Sequence, residues 1–373
     1  MRGHLRERSP GHWAIVIDGR DPQTGKRRRK WHSFKGTKRE AQVRGAELIA
    51  ALNQGSYVER SKTVVADFVR ARIDQWEAAG EITARTAQRY RQLAGNQIAP
   101  HIGAKPVQKL TRLDLERWHT AVRNAGFTAR TVGHAHRVLG KALRDAELDG
   151  LVSRNVCRVQ RAPKVAEGEM VVVREINGFL AAVRGSERFR AIAVVALFTG
   201  MRLGEVLALR WKHVNLDAKV IQVREALEQT KAHGVRFKVS KTRAGKRDIT
   251  LPDLLVDVLR EHRRAVLELR LHLGAGRPGD DALLFSDING AALLPNAISS
   301  RWSEFAARSG FSEISFHALR HTHASQLIDA GVDIVTISKR LGHAKPDITL
   351  RVYAHMFRND DSKAAAAINA ALR

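Results

Sequence analysis

Two stretches in the second half of the sequence place arginines where they could bind an anion. In TGMRLGEVLALRW, Gly200 lets the backbone turn, and the apolar residues that follow predict a helix that holds Arg202 at its start. In FHALRHTHAS, His317 and Arg320 are three residues apart, so both side chains lie on one face of the predicted helix. Each stretch therefore offers a positioned guanidinium rather than a solvated surface charge.

Two further stretches add a lysine and a tyrosine. In SKTRAGKRDITLP, Lys241 lies at the edge of a predicted hairpin whose loop would let it move. In LGHAKPDITLRVYAH, Tyr353 follows His343 by ten residues. We expect Pro346 to begin the tyrosine's helix, and Leu350 and Val352 to seat that helix in the core. Taken alone, the tyrosine could be a buried aromatic residue, part of a metal site or a nucleophile.

These groups share one chemical preference. Guanidiniums, an ammonium and imidazoles suit a phosphodiester, whose oxygens accept bidentate hydrogen bonds from arginine and gain negative charge in the transition state. A metal-dependent nuclease is an alternative, because His317, His321 and His323 are clustered. However, the sequence has no HExxH motif and no paired carboxylates near them. We therefore expect His321 and His323 to be structural or supporting residues, and we expect no metal and no cofactor.

The composition points to a polyanionic partner. Lys and Arg total 64 against 38 Asp and Glu, a net charge of +26. Residues 1–60 contribute 14 − 6 = +8, residues 61–160 contribute 17 − 9 = +8, and the remaining residues contribute 33 − 23 = +10. An excess of positive charge that runs through the whole chain favours a folded protein that encloses duplex DNA over a protein that binds DNA with a basic tail. We see no apolar stretch long enough for a membrane span and no signal peptide, so we expect a soluble, intracellular protein.

The first sixty residues predict a small sheet followed by a helix. The segments HLRER, HWAIVID and KWHSF have strand character, and Thr37 with Glu40 forms a capping box at the start of a helix that Gly55 would end. A three-stranded sheet packed on one helix leaves its other face open. Strand alternation could direct four basic side chains at DNA: Arg6, Arg8, Arg28 and Lys30.

The segment from 62 to 160 predicts four or five helices, with apolar residues at spacings of three or four. Basic side chains on the polar faces are candidates for phosphate contacts, although a solvated surface is the alternative. They are Arg85, Arg89, Arg130, Arg137 and Lys141.

After a linker at 159–170, a mixed unit begins. We predict helices at 174–184 and 187–198, a strand pair formed by KVIQV and VRFKV, the strand DITL, and helices to an Ala-rich C-terminal one. The predicted fold class is thus multidomain and mainly α with small β elements. It comprises a sheet-plus-helix unit (1–58), a helical bundle (62–160) and a mixed α/β unit (168–373).

The motifs of this last unit resemble the catalytic set of the tyrosine recombinases. RLGE, a hairpin lysine, HALRH, LGH and a tyrosine ten residues after the LGH histidine occur in that order over some 150 residues. The helical middle is similar to the family's core-site-binding domain, and the N-terminal sheet is similar to the arm-site-binding domain of phage-type integrases. One departure is Ala318, where many members have Asp, which removes a supporting contact rather than a reacting group.

The resemblance implies a role for each motif residue. Arg202 and Arg320 would bind the scissile phosphate, and Tyr353 would attack it, leaving a 3′-phosphotyrosine and a free 5′-hydroxyl. Lys241 would protonate the leaving oxygen. The supporting roles would be proton transfer by His317, a hydrogen bond to the phosphate from His343, and support of the site by Glu205. A tyrosine with an ordinary pKa of about 10 needs cationic neighbours or a base to react at neutral pH, and this set supplies them.

The resulting hypothesis is an integrase of a phage or mobile element that cleaves and rejoins double-stranded DNA without ATP. The resemblance implies a homotetramer on core and arm attachment sites, in the cytoplasm of a bacterial host and associated with its nucleoid. It leaves open whether host DNA-bending or excision factors take part. Two alternatives are a type IB topoisomerase and a DNA-binding protein with an inactive catalytic fold.

Overall fold

The structure is a computed structural model that describes residues 2–20, 27–53, 58, 60–166, 170–231, 233–239, 245–356 and 368–372. The chain divides into two compact units, Met1–Glu167 and Gly168–Arg373. The boundary falls inside the predicted linker, and the further division of the first unit at residue 58 stays a prediction. Within the described ranges, no helix is both long and apolar enough to cross a membrane.

The first unit begins with the predicted sheet and helix. Its strands β1 (Arg2–Ser9), β2 (His12–Arg20) and β3 (Arg27–Lys35) pair antiparallel in chain order, and helix α1 spans Lys38–Asn53. The capping box is confirmed, since the Thr37 amide donates to Glu40 Oε2 at 2.7 Å and the Glu40 amide donates to Thr37 Oγ1 at 3.3 Å. Gly55, the predicted end of α1, lies outside the described residues.

One face of this sheet packs on α1 and the other does not. Ile15 and Ile17 of the central strand are buried in a cluster with Leu48 of α1. Because successive strand residues point to opposite faces, Ala14 and Val16 point away from α1, and both are nevertheless buried. Val16 lies between His4 and Trp31 in the register, so side chains of the outer strands cover it.

The rest of the first unit is a bundle of the predicted kind. A separate hydrophobic cluster holds it together, built from the predicted apolar faces and including Ile73, Trp118 and Leu139. After α3 the backbone widens into a π turn at Ala94–Ile98 before the next helix begins. The helices are α2 (Val65–Ala78), α3 (Ala84–Leu93), α4 (Ala99–Ile102), α5 (Arg112–Asn124) and α6 (Ala129–Leu148).

The second unit is mainly helical, as predicted, with two small sheets. Its first helices are α7 (Ile176–Arg184), α8 (Arg190–Thr199) and α9 (Leu203–Leu207). The strands are β4 (Val214–Asn215), β5 (Val220–Val223), β6 (Glu225–Thr230), β7 (Gly234–Val239) and β8 (Arg247–Thr250). The later helices are α10 (Asp253–His272), α11 (Pro295–Arg308), α12 (Phe316–Asp329), α13 (Ile334–Leu341) and α14 (Pro346–Tyr353).

The predicted pairing of KVIQV with VRFKV is wrong. β5 pairs with β4 and β8, whereas β7 pairs with β6, the segment EALEQT. The sequence of β6 does not predict a strand, because two of its six residues are glutamates. In the structure, Glu225 binds Arg210 and Glu228 binds Arg236, so both carboxylates are paired.

Helix α8 lies at the centre of this unit. Residues 191–197 are all buried, and α8 packs against α12 and α10 within the main hydrophobic cluster. A smaller cluster joins the last helices, α12 to α14, and contains Ala324, Ile337, Leu341 and Tyr353. Residues 357–367 lie outside the described residues, and the predicted C-terminal helix is described only as a short helical segment from 368 to 371.

Candidate active site

Arg202 is held by a tight turn between α8 and α9, as predicted. Gly200 ends α8 with φ of +65°, a left-handed conformation that a side chain would disfavour. Arg202 then occupies the N-terminal cap position of α9, and its amide donates to Glu205 Oε2 at 3.0 Å. Its guanidinium donates to Glu205 Oε1 at 3.0 Å, while 45% of the side chain remains exposed. The guanidinium is therefore oriented by a buried carboxylate and still reachable by a ligand.

A second arginine, which the sequence analysis did not select, holds Glu205 from behind. Arg247 at the start of β8 donates to both Glu205 oxygens, at 3.3 and 2.8 Å, and its Nε donates to the Arg340 carbonyl at 2.7 Å. Burial raises the pKa of Glu205, but the hydrogen bonds and charges of Arg247 and Arg202 outweigh it and keep the pKa below its ordinary value. Glu205 is thus a charged anchor between α9, β8 and the end of α13.

Arg320 is almost fully buried beside the turn that carries Arg202. Its Nη1 donates to the Gly200 carbonyl at 2.7 Å, and its Nη2 donates to His343 Nε2 at 2.8 Å. Burial and the charge of Arg202 lower the pKa of Arg320 to about 10, so the guanidinium stays protonated at neutral pH. It is a cation with little solvent around it, an environment in which an anionic ligand gains more than in water.

The hydrogen bonds of His343 define its tautomer. Nε2 accepts from Arg320, so in the neutral ring the proton is on Nδ1, which donates to Thr349 Oγ1 at 2.7 Å. Burial and the charges of Arg320 and Arg202 lower the pKa of His343 to about 4. In this arrangement Nε2 can donate to a phosphate oxygen only after His343 takes up a proton or changes tautomer.

Tyr353 lies at the end of α14, which Pro346 begins, as predicted. Of the two residues expected to seat this helix, Val352 packs against the small cluster of the last helices, but Leu350 is 50% exposed. Thr349 and Tyr353, four residues apart, form the buried face. Tyr353 is only 1% exposed. Burial raises its pKa to about 12, and the charge of Arg320 offsets that rise only in part. The cationic neighbours therefore do not by themselves make this tyrosine acidic.

His321, which we expected to be a supporting residue, contacts the tyrosine hydroxyl directly. Its Nδ1 lies 2.9 Å from Tyr353 Oη, and the two rings meet edge to face. His317 stacks edge to face on His321 with ring centroids 4.7 Å apart. His323 points elsewhere and accepts from Arg340 at 3.0 Å, which agrees with a structural role. The signal in the sequence was the spacing of four between His317 and His321, which puts both on one face of α12.

One cavity of about 550 Å³ brings the predicted residues together. It is lined by both arginines, three histidines, the carboxylate that anchors them and the tyrosine. They are Arg202, Glu205, His317, Arg320, His321, His343 and Tyr353. Gly245, the last residue of the loop predicted beside Lys241, also lines it, while Lys241 itself lies outside the described residues.

The four basic residues predicted on the N-terminal sheet do not share one face. Arg6 lies opposite Ala14 on the face away from α1, and the guanidinium of Arg8 is 5.7 Å from the Trp31 ring centroid. Lys30 lies opposite Ile17, on the α1 side. Arg28 is in β3, opposite Gly19. The reason is the register of β3, whose odd-numbered residues face away from α1.

In the bundle, the predicted basic residues differ in the exposure of their side chains. Arg89, Arg130 and Arg137 are exposed and surround His134, whose pKa burial and their three charges lower. Arg85 is also exposed, near the start of α3. The fifth residue of the set is less exposed, and its ammonium is paired within the bundle. Lys141 donates to Glu81 at 3.1 Å and lies 3.8 Å from the Trp76 ring centroid.

Residues 170–360 match the family model described as the phage integrase family, which is more than half of the chain. The chain belongs to this family. Among curated proteins, a tyrosine recombinase XerC-like protein of Caldanaerobacter subterraneus subsp. tengcongensis is 24% identical over 374 residues, covering 95% of this chain and 94% of that protein. The chain is therefore a tyrosine-type site-specific DNA recombinase, whose family chemistry proceeds through a 3′-phosphotyrosine intermediate.

Solved integrase structures share the fold. The Tn1549 transposon integrase in complex with transposon right end DNA aligns with a TM-score of 0.69 at 19% identity, over 83% of this chain and all of that chain. A lambda integrase tetramer bound to a Holliday junction aligns with a TM-score of 0.55 at 18% identity, over 92% of this chain and 96% of that chain. These likenesses confirm the predicted fold class, including the mixed α/β unit that carries the cavity.

Proposed function

We propose that this integrase cleaves DNA with Tyr353 as its nucleophile and with Arg202 and Arg320 bound to the scissile phosphate. The observation that carries the assignment is the cavity of about 550 Å³ that both guanidiniums and the tyrosine line together. A phosphate there would accept hydrogen bonds from two arginines, and its transition state would gain most from cations already in place.

The burial of Arg320 supports its role as a phosphate ligand. A cation that is 3% exposed lacks most of its hydration. Among the described residues, this guanidinium donates to the Gly200 carbonyl and to His343, and neither partner is a carboxylate. A phosphodiester would supply the missing counter-charge. The proposed roles of the other residues follow the family chemistry. Lys241 protonates the leaving 5′-oxygen, and His317 and His343 assist in proton transfer and phosphate binding.

We propose that the substrate is double-stranded DNA with core and arm attachment sites. The net charge of +26 supports this, as do the DNA complexes of the structurally similar integrases. In the bundle, Arg85, Arg89, Arg130 and Arg137 would contact core-site phosphates. On the sheet face away from α1, Arg6 and Arg8 would contact arm-site DNA, with Arg28 and Lys30 as flanking contacts.

We propose that the protein integrates or excises a phage or mobile element as a homotetramer on DNA. The lambda integrase tetramer on a Holliday junction supports this assembly. The setting would be the cytoplasm of a bacterial host, at the nucleoid, where host DNA-bending and excision factors would assist it.

A nicked suicide DNA tests the nucleophile, because cleavage opposite the nick releases a short strand and traps the covalent complex. The wild-type protein should give an adduct on a denaturing gel, and Tyr353→Phe should give none. Tyr90→Phe is the matched control, since Tyr90 packs edge to face on Trp76 in the bundle and should leave the adduct unchanged. An adduct with Tyr353→Phe would refute the assignment.

A further inference from the structure

The buried hydroxyl of Tyr353 contacts an imidazole nitrogen. His321 Nδ1 lies 2.9 Å from Tyr353 Oη, and both residues line the cavity where the phosphate is proposed to bind. His321 follows Arg320 on α12, and α12 and α14 pack on the same small hydrophobic cluster. The contact is thus fixed by two packed helices rather than by a loop.

The tyrosine cannot react without losing its proton. With a pKa of about 12, about one molecule in 10⁵ carries a phenolate at neutral pH. Attack by the neutral phenol would leave a proton on the oxygen that bonds to phosphorus, so an acceptor must take it during the step. The acceptor has to lie within hydrogen-bonding distance of the hydroxyl.

Two of the other bases that line the cavity are engaged in hydrogen bonds. Glu205 holds Arg202 and Arg247, and His343 is held on both nitrogens by Arg320 and Thr349. The ring of His317 packs on His321. Among the described residues, the hydroxyl of Tyr353 forms its hydrogen bond with His321.

We propose that His321 is the general base for Tyr353, an inference that rests on the proposed function. As Tyr353 Oη bonds to the scissile phosphorus and the bond from phosphorus to the 5′-oxygen breaks, the phenolic proton moves to His321 Nδ1. Nε2 keeps its own proton, so the ring becomes an imidazolium. In rejoining, the DNA 5′-hydroxyl attacks phosphorus and gives its proton back to the acid that protonated it during cleavage. The bond from phosphorus to Tyr353 Oη breaks, and Nδ1 returns its proton to the phenolate.

The surroundings of His321 suit this cycle. Burial and the charges of His317 and Arg320 lower its pKa to about 4, so the ring is neutral and ready to accept at neutral pH. Tyr353 faces it from α14, and Arg202, Glu205 and His343 line the same cavity. A bound phosphodiester adds a negative charge to this cationic group, which raises the basicity of the imidazole when it is needed.

Single-turnover cleavage of a DNA with a 5′-bridging phosphorothiolate tests the assignment, because a thiolate leaves without needing a proton. We expect His321→Ala to cleave both the sulfur and the ordinary substrate about 10²-fold more slowly than wild type. His321→Asn keeps an acceptor atom near the Nδ1 position but cannot take up the proton, so it should be as slow as His321→Ala. In both variants the rate should rise in proportion to hydroxide concentration. His272→Asn, on the exposed end of α10, is the control and should match wild type.

Three results would overturn the inference. Near-wild-type cleavage by His321→Asn would show that the ring only positions the hydroxyl. A defect that disappears on the phosphorothiolate would place His321 on the leaving-group side. An unchanged pH profile in both variants would exclude proton transfer by this ring. These results are distinct from failure of the proposed function, which appears as an adduct that survives Tyr353→Phe.

Discussion

Among the residues that the structure describes, one cluster of histidines with lowered pKa values lies in the core of the bundle and another lines the cavity of the second unit. In the bundle, His119 Nε2 and His136 Nδ1 are 3.1 Å apart, and His136 Nε2 bonds to the Cys157 carbonyl at 3.3 Å. Burial lowers the pKa of His119 to about 4. In the second unit, His321 has a similarly low pKa but contacts a tyrosine hydroxyl beside two arginines. A clustered histidine with a shifted pKa is therefore not by itself a sign of function.

The two clusters differ in the hydrogen-bond partners of their histidines. The bundle pair ends at a backbone carbonyl and stacks on Trp118, so it forms a closed, neutral group inside the core. The active-site histidines end at Tyr353, Arg320 and Thr349, around a space that a phosphate could fill. The predictions below separate the closed group from the open one.

The largest expected effect is on the buried ion pair that supports the open site. Glu205→Gln leaves Arg247 buried without its counter-charge, which should lower the free energy of unfolding of the second unit by about 3–5 kcal/mol. Urea unfolding of the full chain measures it. The double variant Glu205→Leu with Arg247→Met removes both charges and should recover much of the loss. If Glu205→Gln unfolds at the wild-type urea concentration, the carboxylate is not the anchor described here.

The next effect is on the guanidinium at the phosphate. Arg320→Lys keeps the charge but loses the paired donors to Gly200 and His343, so we expect cleavage to slow by about 10²–10³-fold. Single-turnover cleavage of the suicide DNA measures it. Arg308→Lys, in the last turn of α11, is the control and should cleave at the wild-type rate. Equal rates for the two variants would remove Arg320 from the phosphate site.

The closed pair should affect stability and not cleavage. Its pKa values are lower in the folded than in the unfolded chain, so unfolding takes up protons below about pH 6.5. The bundle should therefore lose stability as pH falls from about 6.5 toward 4, by up to about 3 kcal/mol for His119. Urea unfolding followed by tryptophan fluorescence measures it. The double variant His119→Leu with His136→Leu should flatten the dependence while leaving cleavage at neutral pH intact.

The smallest expected effect is on DNA binding by the bundle, and it distinguishes an exposed arginine from a lysine that is already paired. Arg137→Met should weaken DNA binding and reduce the salt dependence of log K by about one counterion. Lys141→Met, on the same helix, should change neither, because that ammonium is paired with Glu81 and packed on Trp76. Titrations at several salt concentrations measure both variants. A larger loss with Lys141→Met would mean that the internal pairing opens on DNA.

Much of this could be read from the sequence because it is encoded locally. The Thr37–Glu40 cap, the glycine turn before Arg202 and the start of α14 at Pro346 depend on neighbours within a few residues. The motif order of the second unit was specific enough to predict which residues share the cavity.

The errors and omissions arise from long-range partners. The pairing of β5 with β8 joins segments more than twenty residues apart, and the role of Arg247 depends on a carboxylate 42 positions earlier. Helical periodicity placed His321 on the face of His317, but the hydroxyl that it meets is 32 residues away. Which face of the sheet Lys30 lies on depends on the register of β3, because a shift of the pairing by one residue moves every side chain of the strand to the opposite face.

The central claim is that Tyr353 is the reactive residue of the open site. The most direct test is to trap the adduct on suicide DNA, digest protein and DNA, and find by mass spectrometry which peptide carries the nucleotide. We expect a 3′-phosphonucleotide on the tyrosine of the peptide VYAHMFR, residues 352–358. A nucleotide on the peptide of Tyr57 or Tyr90, or on a serine, would contradict it.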